Sequence, residues 1–285
     1  MSRDVWTLSR VIKWTTGFFD RKGSESARLD AELLIAHALK MSRMQLYTEH
    51  HKPLSAEELA STRALVARRG DGEPVAYIIG QKAFWTIELA VDKRVLIPRP
   101  ETEHLVEHGL ERMRGMPNPR VLDLCCGSGC VGLAVAATRR DCKVLGTDVS
   151  EDALALAQTN RDSLDLGHAT FQKSDAFEAI EDTFDVILSN PPYISHTQLE
   201  ALMPSVKNYE PRLALDGGTD GLTFYRLIAA NGHKYLKSGG SILVEIGFDQ
   251  GPTVSDLFKT NGYREIRIHK DYSGHDRVVE AQPPE

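Results

Sequence analysis

Four consecutive residues combine an amide, two prolines and an aromatic ring: Asn190-Pro191-Pro192-Tyr193, directly after the apolar run "FDVILS". Proline has a fixed φ and no N–H, so Pro191 and Pro192 would hold a rigid turn whose carbonyl oxygens can act as acceptors. The Asn190 side-chain oxygen and the Pro191 carbonyl could then accept from one planar NH₂ group, while Tyr193 offers a ring for stacking. This pattern favours a nitrogen nucleophile, such as a carboxamide or an exocyclic base amine, that is aligned and stabilised as it becomes positive.

A glycine-rich turn precedes this motif, in the segment "LDLCCGSGCVGLAVA". Gly127, Gly129 and Gly132 fit the G-x-G-x-x-G pattern, and Asp148 ends the next apolar run. Such a turn allows close approach of a ligand to the backbone at the start of a helix, with an acid for ribose hydroxyls. Taken alone, it is typical of a nicotinamide dehydrogenase and of an S-adenosylmethionine enzyme alike, and a ligand-free βα turn remains a third interpretation.

Two further acids favour S-adenosylmethionine. Asp123 lies four residues before Gly127, where it could brace the loop or reach the charged amino-acid end of the cofactor. A carboxylate beside a pyrophosphate would be repelled, which disfavours a dinucleotide. Asp175, in "SDAF", could accept from an adenine amino group, and its alternative role is a helix cap.

The elements that must position these residues follow from the hydrophobic pattern. Residues 1–75 predict a small helical bundle, with a capping box at Ser55 and Glu58. Residues 76–100 predict a linker with a β-hairpin that turns near Asp92-Lys93. From residue 101 to 285, short apolar strands alternate with helices and predict an α/β domain, with a mostly parallel seven-stranded sheet and helices on both faces. Asn190 then ends the fourth strand, beside the glycine loop of the first.

Composition excludes several classes of protein. No apolar run approaches the roughly 18 residues of a membrane span, and the polar N-terminus does not resemble a signal peptide, so we expect a cytoplasmic protein. The net charge of −6 includes an acidic excess over residues 101–285, which disfavours binding to duplex DNA.

The four cysteines fit small packing residues better than a disulfide or zinc site. "HLVEH", from His104 to His108, matches an inverted zinc-protease pattern, but no third ligand is evident and we expect no metal.

The order of motifs resembles a known family, the HemK-type release-factor glutamine methyltransferases, which are class I S-adenosylmethionine-dependent enzymes with an N-P-P-Y motif. The match covers nearly the whole chain, through "RLDAELLIAHAL", "GEPVAYIIG", "VLIPRPETE", "DLCCGSG", "NPPY", "YEPRLALDGGTDGL" and "DYSGHDRVVEA". The resemblance implies methyl transfer from S-adenosylmethionine to the side-chain nitrogen (N5) of the glutamine in the Gly-Gly-Gln motif of peptide-chain release factors. It implies that the helical domain recognises the release factor.

The resemblance also implies roles for particular residues. The cofactor would contact Asp123, Cys125, Cys126, Gly127, Ser128, Gly129, Asp148, Asp175, Ala176 and Asn190. The glutamine amide would contact Asn190, Pro191, Pro192 and Tyr193, of which Asn190, Pro191 and Tyr193 would be catalytic. Three places depart from the family pattern: Ala83, Ala176 and the pair Cys125-Cys126. They could alter cofactor affinity or hairpin packing.

Other functions remain as alternatives. Glutamine methylation of a ribosomal protein would use the same chemistry, although "IPRPETE" and "DYSGHDRVV" favour the release-factor branch. An adenine-N6 nucleic-acid methyltransferase would need a basic groove or an added recognition domain. A nicotinamide dehydrogenase leaves Asn190 to Tyr193 without a role, and a non-enzymatic RNA-binding module does not explain the assembled site. We expect a monomer.

Overall fold

The structure is a computed structural model that describes residues 5–285 and contains two compact units. The first unit comprises the described residues as far as Gly80 together with Pro204–Tyr209, and the second comprises Gln81–Met203 and Glu210–Glu285. Residues 1–4, part of the stretch on which the signal-peptide expectation rests, lie outside the described residues. Among the described helices, none is long and apolar enough to cross a membrane.

The first unit is helical, as predicted. Its helices in the N-terminal part are α1 (Leu8–Arg21), α2 (Ala27–Leu39), α3 (Arg43–Thr48), α4 (Ala56–Gly70) and α5 (Val75–Ile79). The capping box predicted at the start of α4 is confirmed, because the Ser55 hydroxyl accepts from the Glu58 N–H and the Glu58 carboxylate accepts from the Ser55 N–H. Helix α2 lies at the centre of the unit, with Leu34 and Ile35 fully buried.

A buried carboxylate in α2 ties three side chains together. Glu32 is 2% exposed and accepts from Arg28 Nε at 2.9 Å, Arg43 Nη2 at 2.7 Å and the Tyr47 hydroxyl at 2.5 Å. Burial opposes ionisation of this carboxyl, but the three hydrogen bonds outweigh burial and lower its pKa to about 2. Glu32 is therefore ionised at neutral pH and joins α2 to α3.

The second unit begins with a hairpin whose turn is not where the sequence pattern placed it. Strand β1 (Gln81–Phe84) pairs with β2 (Ile87–Ala90), and the register Phe84↔Ile87 puts the turn at Trp85-Thr86. Trp85 has a φ of 53°, and its backbone N–H donates to Glu103. The prediction of a turn near Asp92-Lys93 is wrong: the Asp92 carboxylate binds the N–H and guanidinium of Arg94, which makes a local turn outside the hairpin.

The remaining elements form the α/β part of this unit. In chain order they are α6 (Glu103–Arg112), β3 (Arg120–Leu124), α7 (Cys130–Thr138), β4 (Lys143–Asp148), α8 (Glu151–Ser163), β5 (Ala169–Lys173), β6 (Phe184–Ser189), α9 (His196–Ala201), α10 (Pro204–Lys207, within the first unit), α11 (Thr223–Asn231), β7 (Leu236–Glu245), α12 (Gly251–Thr260), β8 (Arg264–Lys270) and β9 (Asp276–Gln282). Short 3₁₀ turns occupy Pro100–Thr102, Arg212–Ala214 and Gly232–Tyr235.

Seven strands form one sheet in the order β5-β4-β3-β6-β7-β9-β8. Strands β5, β4, β3, β6 and β7 are mutually parallel, and β9 runs antiparallel between β7 and β8. Strands β4 and β5 follow one another on one side of β3, whereas β6 and β7 lie on its other side. The carboxyl ends of β3, β4 and β6 therefore lie side by side at the switch point, where parallel sheets bind ligands.

Both faces of the sheet are covered by helices, because successive side chains on each strand point to opposite faces. Val121 packs with Leu105 of α6 and Val131 of α7, whereas its neighbour Leu122 packs with Tyr225 of α11 and other residues on the opposite face. The predicted fold class is confirmed: a mostly parallel seven-stranded sheet with helices on both faces, preceded along the chain by a helical region and a separate hairpin.

Candidate active site

A cavity of about 310 Å³ lies at the carboxyl ends of β3, β4 and β6, within the size range of small-molecule sites. Ten of the residues predicted from the sequence line it: Asp123, Cys125, Cys126, Gly127, Ser128, Asp148, Asp175, Ala176, Asn190 and Pro192. Gly129, Pro191 and Tyr193 were also predicted but are not among the lining residues. Residues far apart in the sequence thus meet at one concave surface.

The glycine loop connects β3 to the N-terminus of α7. Gly129 has a φ of 79° at the start of the helix, and a Cβ there would lie 2.9 Å from the Phe171 ring, so both conformation and space require glycine. Gly127 has a φ of 52°, and its N–H donates to Asp148 Oδ2 at 2.9 Å. A Cβ on Gly127 would meet no atom within 4 Å, so its surroundings leave room for a ligand beside the backbone.

The departures at Cys125 and Ala176 share a backbone feature. Cys125 has a φ of 60° and Ala176 a φ of 45°, and both residues line the cavity. The left-handed region costs a residue with a side chain roughly 1–2 kcal/mol, so both turns hold strain at the wall of the site. Cys125 is one of four free cysteines, and burial raises the pKa of its thiol well above the ordinary value. The cysteines are thus neutral packing groups at ordinary pH.

Two aspartates accept hydrogen bonds from the backbone of the glycine loop and of α7. Asp123 is 1% exposed, and its Oδ2 accepts from the Gly132 N–H at 2.8 Å, which braces the first turn of α7. Burial raises the pKa of Asp123 to about 7, although that hydrogen bond favours the charged form. Asp148, at the end of β4, accepts from Gly127 N–H with Oδ2 and from Ser150 N–H with Oδ1, and burial raises its pKa as well. The carboxylate therefore fixes the loop against the neighbouring strand.

Asp175 is exposed at the rim of the cavity, at the end of the edge strand β5. Residues 176–179 form turns, so no described helix begins there for Asp175 to cap. Ser174 closes this turn instead, since its hydroxyl donates to Ala176 O at 2.7 Å and accepts from Ala179 N–H at 3.1 Å. The capping interpretation of Asp175 is therefore wrong.

The N-P-P-Y motif leaves the sheet beside the glycine loop. The Ser189 hydroxyl donates to Leu124 O at 2.8 Å and ties the ends of β6 and β3 together. Asn190 follows, and its Nδ2 donates to Thr102 Oγ1 at 3.1 Å. The Asn190 carbonyl oxygen is therefore the amide atom that faces away from Thr102. Asn190 is one of the residues that line the cavity.

Tyr193 lies beside the cavity and packs against the core cluster that contains Tyr225. Burial raises the pKa of its phenol, so the hydroxyl stays neutral. Two glycines of the later segment "DGGTDGL" contact its backbone: a Cβ on Gly217 would lie 2.7 Å from Tyr193 Cα, and one on Gly221 would lie 2.4 Å from Tyr193 O. This segment holds the motif in place, and the density of glycine there is the sequence signal for it.

Thr102 is a cavity-lining residue that the sequence analysis missed, and Glu245 is a buried carboxyl at the end of the neighbouring strand β7. Thr102 ends the 3₁₀ turn Pro100–Thr102, lines the cavity and is 1% exposed. Glu245 is the last residue of β7 and is 1% exposed. Burial raises the pKa of Glu245 to about 7, although the nearby hydroxyls of Thr102 and Tyr193 oppose that shift. A glutamate at the end of the apolar run "SILVE" was the available signal.

The histidines of "HLVEH" have other partners. His104 packs edge-on against Tyr272 at a ring-centroid distance of 4.5 Å, and His108 stacks on His269 at 3.9 Å. Within residues 5–285, no group of three or more His, Cys, Asp or Glu side chains is arranged to hold a metal ion. These rings contribute to packing along α6.

The residues of the cavity suit a nucleoside-containing ligand with a charged end. Thr147 Oγ1 is buried at the cavity wall and lacks a hydrogen-bond partner among the described residues. Buried hydroxyls are rarely left unpaired, so this atom is available to a ligand. Carboxylates at two strand ends, an open glycine backbone and the helix N-terminus of α7 complete a set of groups that fits S-adenosylmethionine.

Comparison with known proteins gives a consistent result. Residues 10–80 match the family described as the PrmC N-terminal domain, and residues 102–218 match the methyltransferase small domain. A release factor glutamine methyltransferase of Geobacter sulfurreducens is 45% identical over 278 residues, which cover 97% of this chain and 96% of that protein. A protein of the same name from Rhodopirellula baltica is 41% identical over 289 residues, with the same coverage of each chain.

The solved structures agree on the fold. A methyltransferase from Pyrococcus furiosus has a TM-score of 0.53 and 18% identity, covering 79% of this chain and 100% of its own. At that identity the likeness shows the fold alone. The sequence relatives show more, because their identity exceeds two fifths and extends along nearly the whole of both chains. The resemblance found in the motifs is confirmed, and the chain belongs to the family of release factor glutamine methyltransferases.

Proposed function

We propose that this protein transfers a methyl group from S-adenosylmethionine to the side-chain amide nitrogen (N5) of the glutamine in the Gly-Gly-Gln motif of peptide-chain release factors. The observation that carries the proposal is the Asn190 amide. Its nitrogen donates to Thr102, so its carbonyl oxygen is the amide atom left to accept, and Asn190 lines a cavity that also contains the glycine loop. An acceptor in that place suits an NH₂ group entering from a protein substrate.

The cofactor would lie on the glycine loop between Asp148 and Asp175. Asp148, at the end of β4, accepts from two backbone N–H groups, and we propose that its remaining lone pairs accept from the ribose hydroxyls. Asp175 and Ala176 would flank the adenine, and Cys125 to Gly129 would contact the remainder. S-adenosylmethionine supplies an electrophilic methyl group on its sulfonium.

The glutamine amide would be held by two acceptors, Asn190 Oδ1 and the Pro191 carbonyl, with Pro192 in the adjoining wall. Two hydrogen bonds from one NH₂ group fix its plane and favour pyramidal nitrogen, which directs the lone pair at the methyl group. The same oxygens stabilise the positive charge that develops on nitrogen. Tyr193 would support the turn from the core side, where its ring packs.

We also propose that the helical unit recognises the release factor, which corresponds to the predicted division at residues 1–75, 76–100 and 101–285. A groove in that unit is lined by Trp14, Phe18 and Arg63, and Trp14 is 50% exposed. Trp14→Ala should raise KM for the release factor severalfold and leave cofactor binding unchanged. A release factor substrate implies a cytoplasmic enzyme, and we also propose that the enzyme is monomeric and makes no direct contact with DNA.

The test is methyl transfer from labelled S-adenosylmethionine to a purified release factor. Label should appear on the intact factor and be lost when the Gln of its Gly-Gly-Gln motif is replaced by Ala. Duplex DNA and total ribosomal protein serve as parallel substrates. Transfer to either of these in place of the release factor would refute the substrate assignment.

Variants of the enzyme connect this activity to the site. Asn190→Ala should reduce kcat by at least about a hundredfold, because one of two acceptors of the reacting nitrogen is lost. Its affinity for S-adenosylhomocysteine, measured by calorimetry, should change much less. Asn261→Ala, at the exposed end of α12, is the matched control and should retain full activity. Full activity of Asn190→Ala would overturn the proposed role of the amide.

A further inference from the structure

The two prolines of the N-P-P-Y motif deprive its backbone of hydrogen-bond donors. Pro191 and Pro192 carry no N–H, so neither residue can be tied to a neighbouring segment by a backbone donor. Because proline also fixes φ, the direction of the Pro191 carbonyl, a proposed acceptor of the glutamine amide, depends on where the turn begins and ends. Ser189 fixes the beginning by donating to Leu124 O. The end of the turn is the Tyr193 carbonyl.

A glutamine from the turn after β7 binds that carbonyl. Gln250 Nε2 donates to Tyr193 O at 3.1 Å and to Gly221 O at 3.3 Å. Its Oε1 accepts from the Gly247 N–H at 2.9 Å. One side chain thus joins the motif to the segment "DGGTDGL" and to the turn after β7.

The three partners of Gln250 are backbone groups, whose hydrogen-bonding character cannot change. An N–H only donates and a carbonyl oxygen only accepts. The Gln250 amide therefore has one orientation that satisfies its partners, with Oε1 on Gly247 and Nε2 on the two carbonyls. In the reversed orientation, the NH₂ group would face an N–H and the amide oxygen would face two carbonyl oxygens. The direction of each hydrogen bond follows from the backbone alone.

The register of the sheet brings Gln250 beside the motif. Strands β6 and β7 are parallel, and Ser189 pairs with Val244, so the segments that follow these strands leave the same edge of the sheet next to each other. Glycine supplies the space for the contact, because a Cβ on Gly221 would lie 2.4 Å from Tyr193 O and 3.0 Å from Gln250 Nε2. A side chain at position 221 would therefore displace the hydrogen bond.

Gln250 is also the N-cap residue of α12. Ser, Thr, Asp and Asn are preferred at this position, because their short side chains accept from N–H groups of the first turn. The Gln250 side chain makes no such bond and turns instead to Gly247 and the motif. Departures from a local preference are expected at functional positions. Here the departure places an amide on the Tyr193 carbonyl.

We propose that Gln250 is a positioning residue that fixes the Tyr193 carbonyl and, through the proline turn, directs the Pro191 carbonyl at the substrate amide. Gln250 does not touch the substrate in this scheme and acts through the backbone of the motif. The inference rests on the proposed function, since the direction of the Pro191 carbonyl matters for a reacting NH₂ group. It adds to the machinery of the site a residue that lies 57 positions after Tyr193.

Two substitutions of similar size test the contact. Gln250→Met removes all three hydrogen bonds, whereas Gln250→Glu keeps an acceptor for Gly247 and places a carboxylate oxygen opposite the two carbonyls. We expect each variant to lower kcat by about tenfold or more, the kinetic equivalent of one well-formed hydrogen bond. KM for the release factor and the affinity for S-adenosylhomocysteine should stay within about threefold of wild type. Gln158→Met and Gln158→Glu, on the exposed face of α8, are the matched controls and should retain wild-type kcat.

The kinetic measurement is designed to separate positioning from stability. The stoichiometry of S-adenosylhomocysteine binding, measured by calorimetry, gives the fraction of folded enzyme, and kcat is expressed per binding site. A residue that only stabilises the start of α12 would lower the unfolding midpoint and leave kcat per site unchanged. Wild-type kcat per site in both Gln250 variants would overturn the positioning role. A fall in one variant alone would also overturn it, because the Gly247 bond or the introduced charge would then explain the loss.

A measurement that does not need activity follows the Tyr193 carbonyl directly. The chain contains two Tyr-Ile pairs, Tyr77-Ile78 and Tyr193-Ile194, so protein labelled with ¹³C-carbonyl tyrosine and ¹⁵N-isoleucine gives two carbonyl–amide correlations. The pair at Tyr77 is assigned by its disappearance in Ile78→Val. Because a hydrogen bond deshields a carbonyl carbon, the Tyr193 resonance should move upfield in both Gln250 variants, and that of Tyr77 should stay in place. An unmoved Tyr193 resonance would show that Gln250 does not hold this carbonyl, and the proposal would fail.

These measurements also separate the two levels of inference. If the wild-type protein transfers no methyl group to a release factor, the proposed function fails and the positioning role fails with it. If wild type is active and both Gln250 variants are equally active per site, the function stands and the positioning role alone is refuted. A loss of kcat in both variants, together with the shift of the Tyr193 carbonyl, is the result that we expect.

Discussion

Asp123 gives the sharpest test of how burial acts at this site. Its carboxyl group is 1% exposed beneath the glycine loop and makes one hydrogen bond, from Gly132 N–H, so desolvation dominates and raises its pKa to about 7. For an acid with a raised pKa, the folded state binds more protons than the unfolded state between the two pKa values. Stability contributed by the neutral carboxyl is therefore complete below about pH 4 and is lost as pH rises to about 7.

The substitution Asp123→Asn removes this titration and retains a carbonyl oxygen for Gly132. From an ordinary pKa of 3.8 to about 7, ionisation in the folded protein costs about 4 kcal/mol. The new NH₂ group adds a cost of about 1–3 kcal/mol if it finds no partner, but that cost does not change with pH. The unfolding free energy of Asp123→Asn relative to wild type should therefore increase as pH rises. The pH-independent cost of its NH₂ group does not alter this trend.

The assay is urea unfolding of both full-length proteins at intervals from about pH 4.5 to about pH 8, followed by circular dichroism. The difference in unfolding free energy should shift in favour of Asp123→Asn by about 1.4 kcal/mol per pH unit at its steepest, and level off above about pH 7. Other titrating groups are common to both proteins and largely cancel. A difference that stays flat across this range would show that Asp123 ionises normally, and would refute the desolvation argument.

Two further predictions concern other parts of the molecule. Glu32→Gln should destabilise the helical unit by a few kcal/mol at neutral pH. Because the pKa of Glu32 is lowered to about 2, its stabilising effect is lost as pH falls below about 4.5, and the difference in unfolding free energy between variant and wild type should shrink. Urea unfolding at pH 7 and pH 3 measures this difference, and an unchanged value would contradict the prediction. Gly146→Ala should cost at least about 1–3 kcal/mol, since its Cβ would lie 2.5 Å from the Phe171 ring. Gly167→Ala, where a Cβ meets nothing within 4 Å, is the control and should be within about 0.5 kcal/mol of wild type in thermal unfolding.

Much of the fold followed from local patterns in the sequence. The alternation of short apolar runs with helical segments predicted the parallel sheet, and the Ser55–Glu58 capping box predicted the start of α4. The hairpin shows the limit of such patterns. The apolar alternation continues past residue 90, so periodicity alone did not locate the turn, which depends on Trp85 adopting a positive φ and on its N–H binding Glu103 from a later helix.

The candidate site shows the same division. The glycine loop, Asp148 and Asn190, in that order along the chain, indicated a nucleotide-type ligand and a nitrogen nucleophile from a carboxamide or a base amine, because strand ends in a parallel sheet converge. The proposed capping role of Asp175 was wrong, since a hydroxyl one residue earlier closes the turn. Thr102 belongs to no pattern of spacing, and its contact with Asn190 joins a turn and a strand end that are far apart in the sequence.

The sequence by itself therefore determined the family, the fold class and the chemical groups that the site contains, because those follow from residue types and from periods of two and 3.6 residues. The tertiary structure alone decided which groups are buried, which way a hydrogen bond runs and which carboxyls resist ionisation. Burial raises the pKa of both Asp123 and Glu245 to about 7, whereas the hydrogen bonds of Glu32 outweigh its burial and lower its pKa to about 2. Desolvation depends on everything that packs around a group, and no local stretch of sequence contains that information.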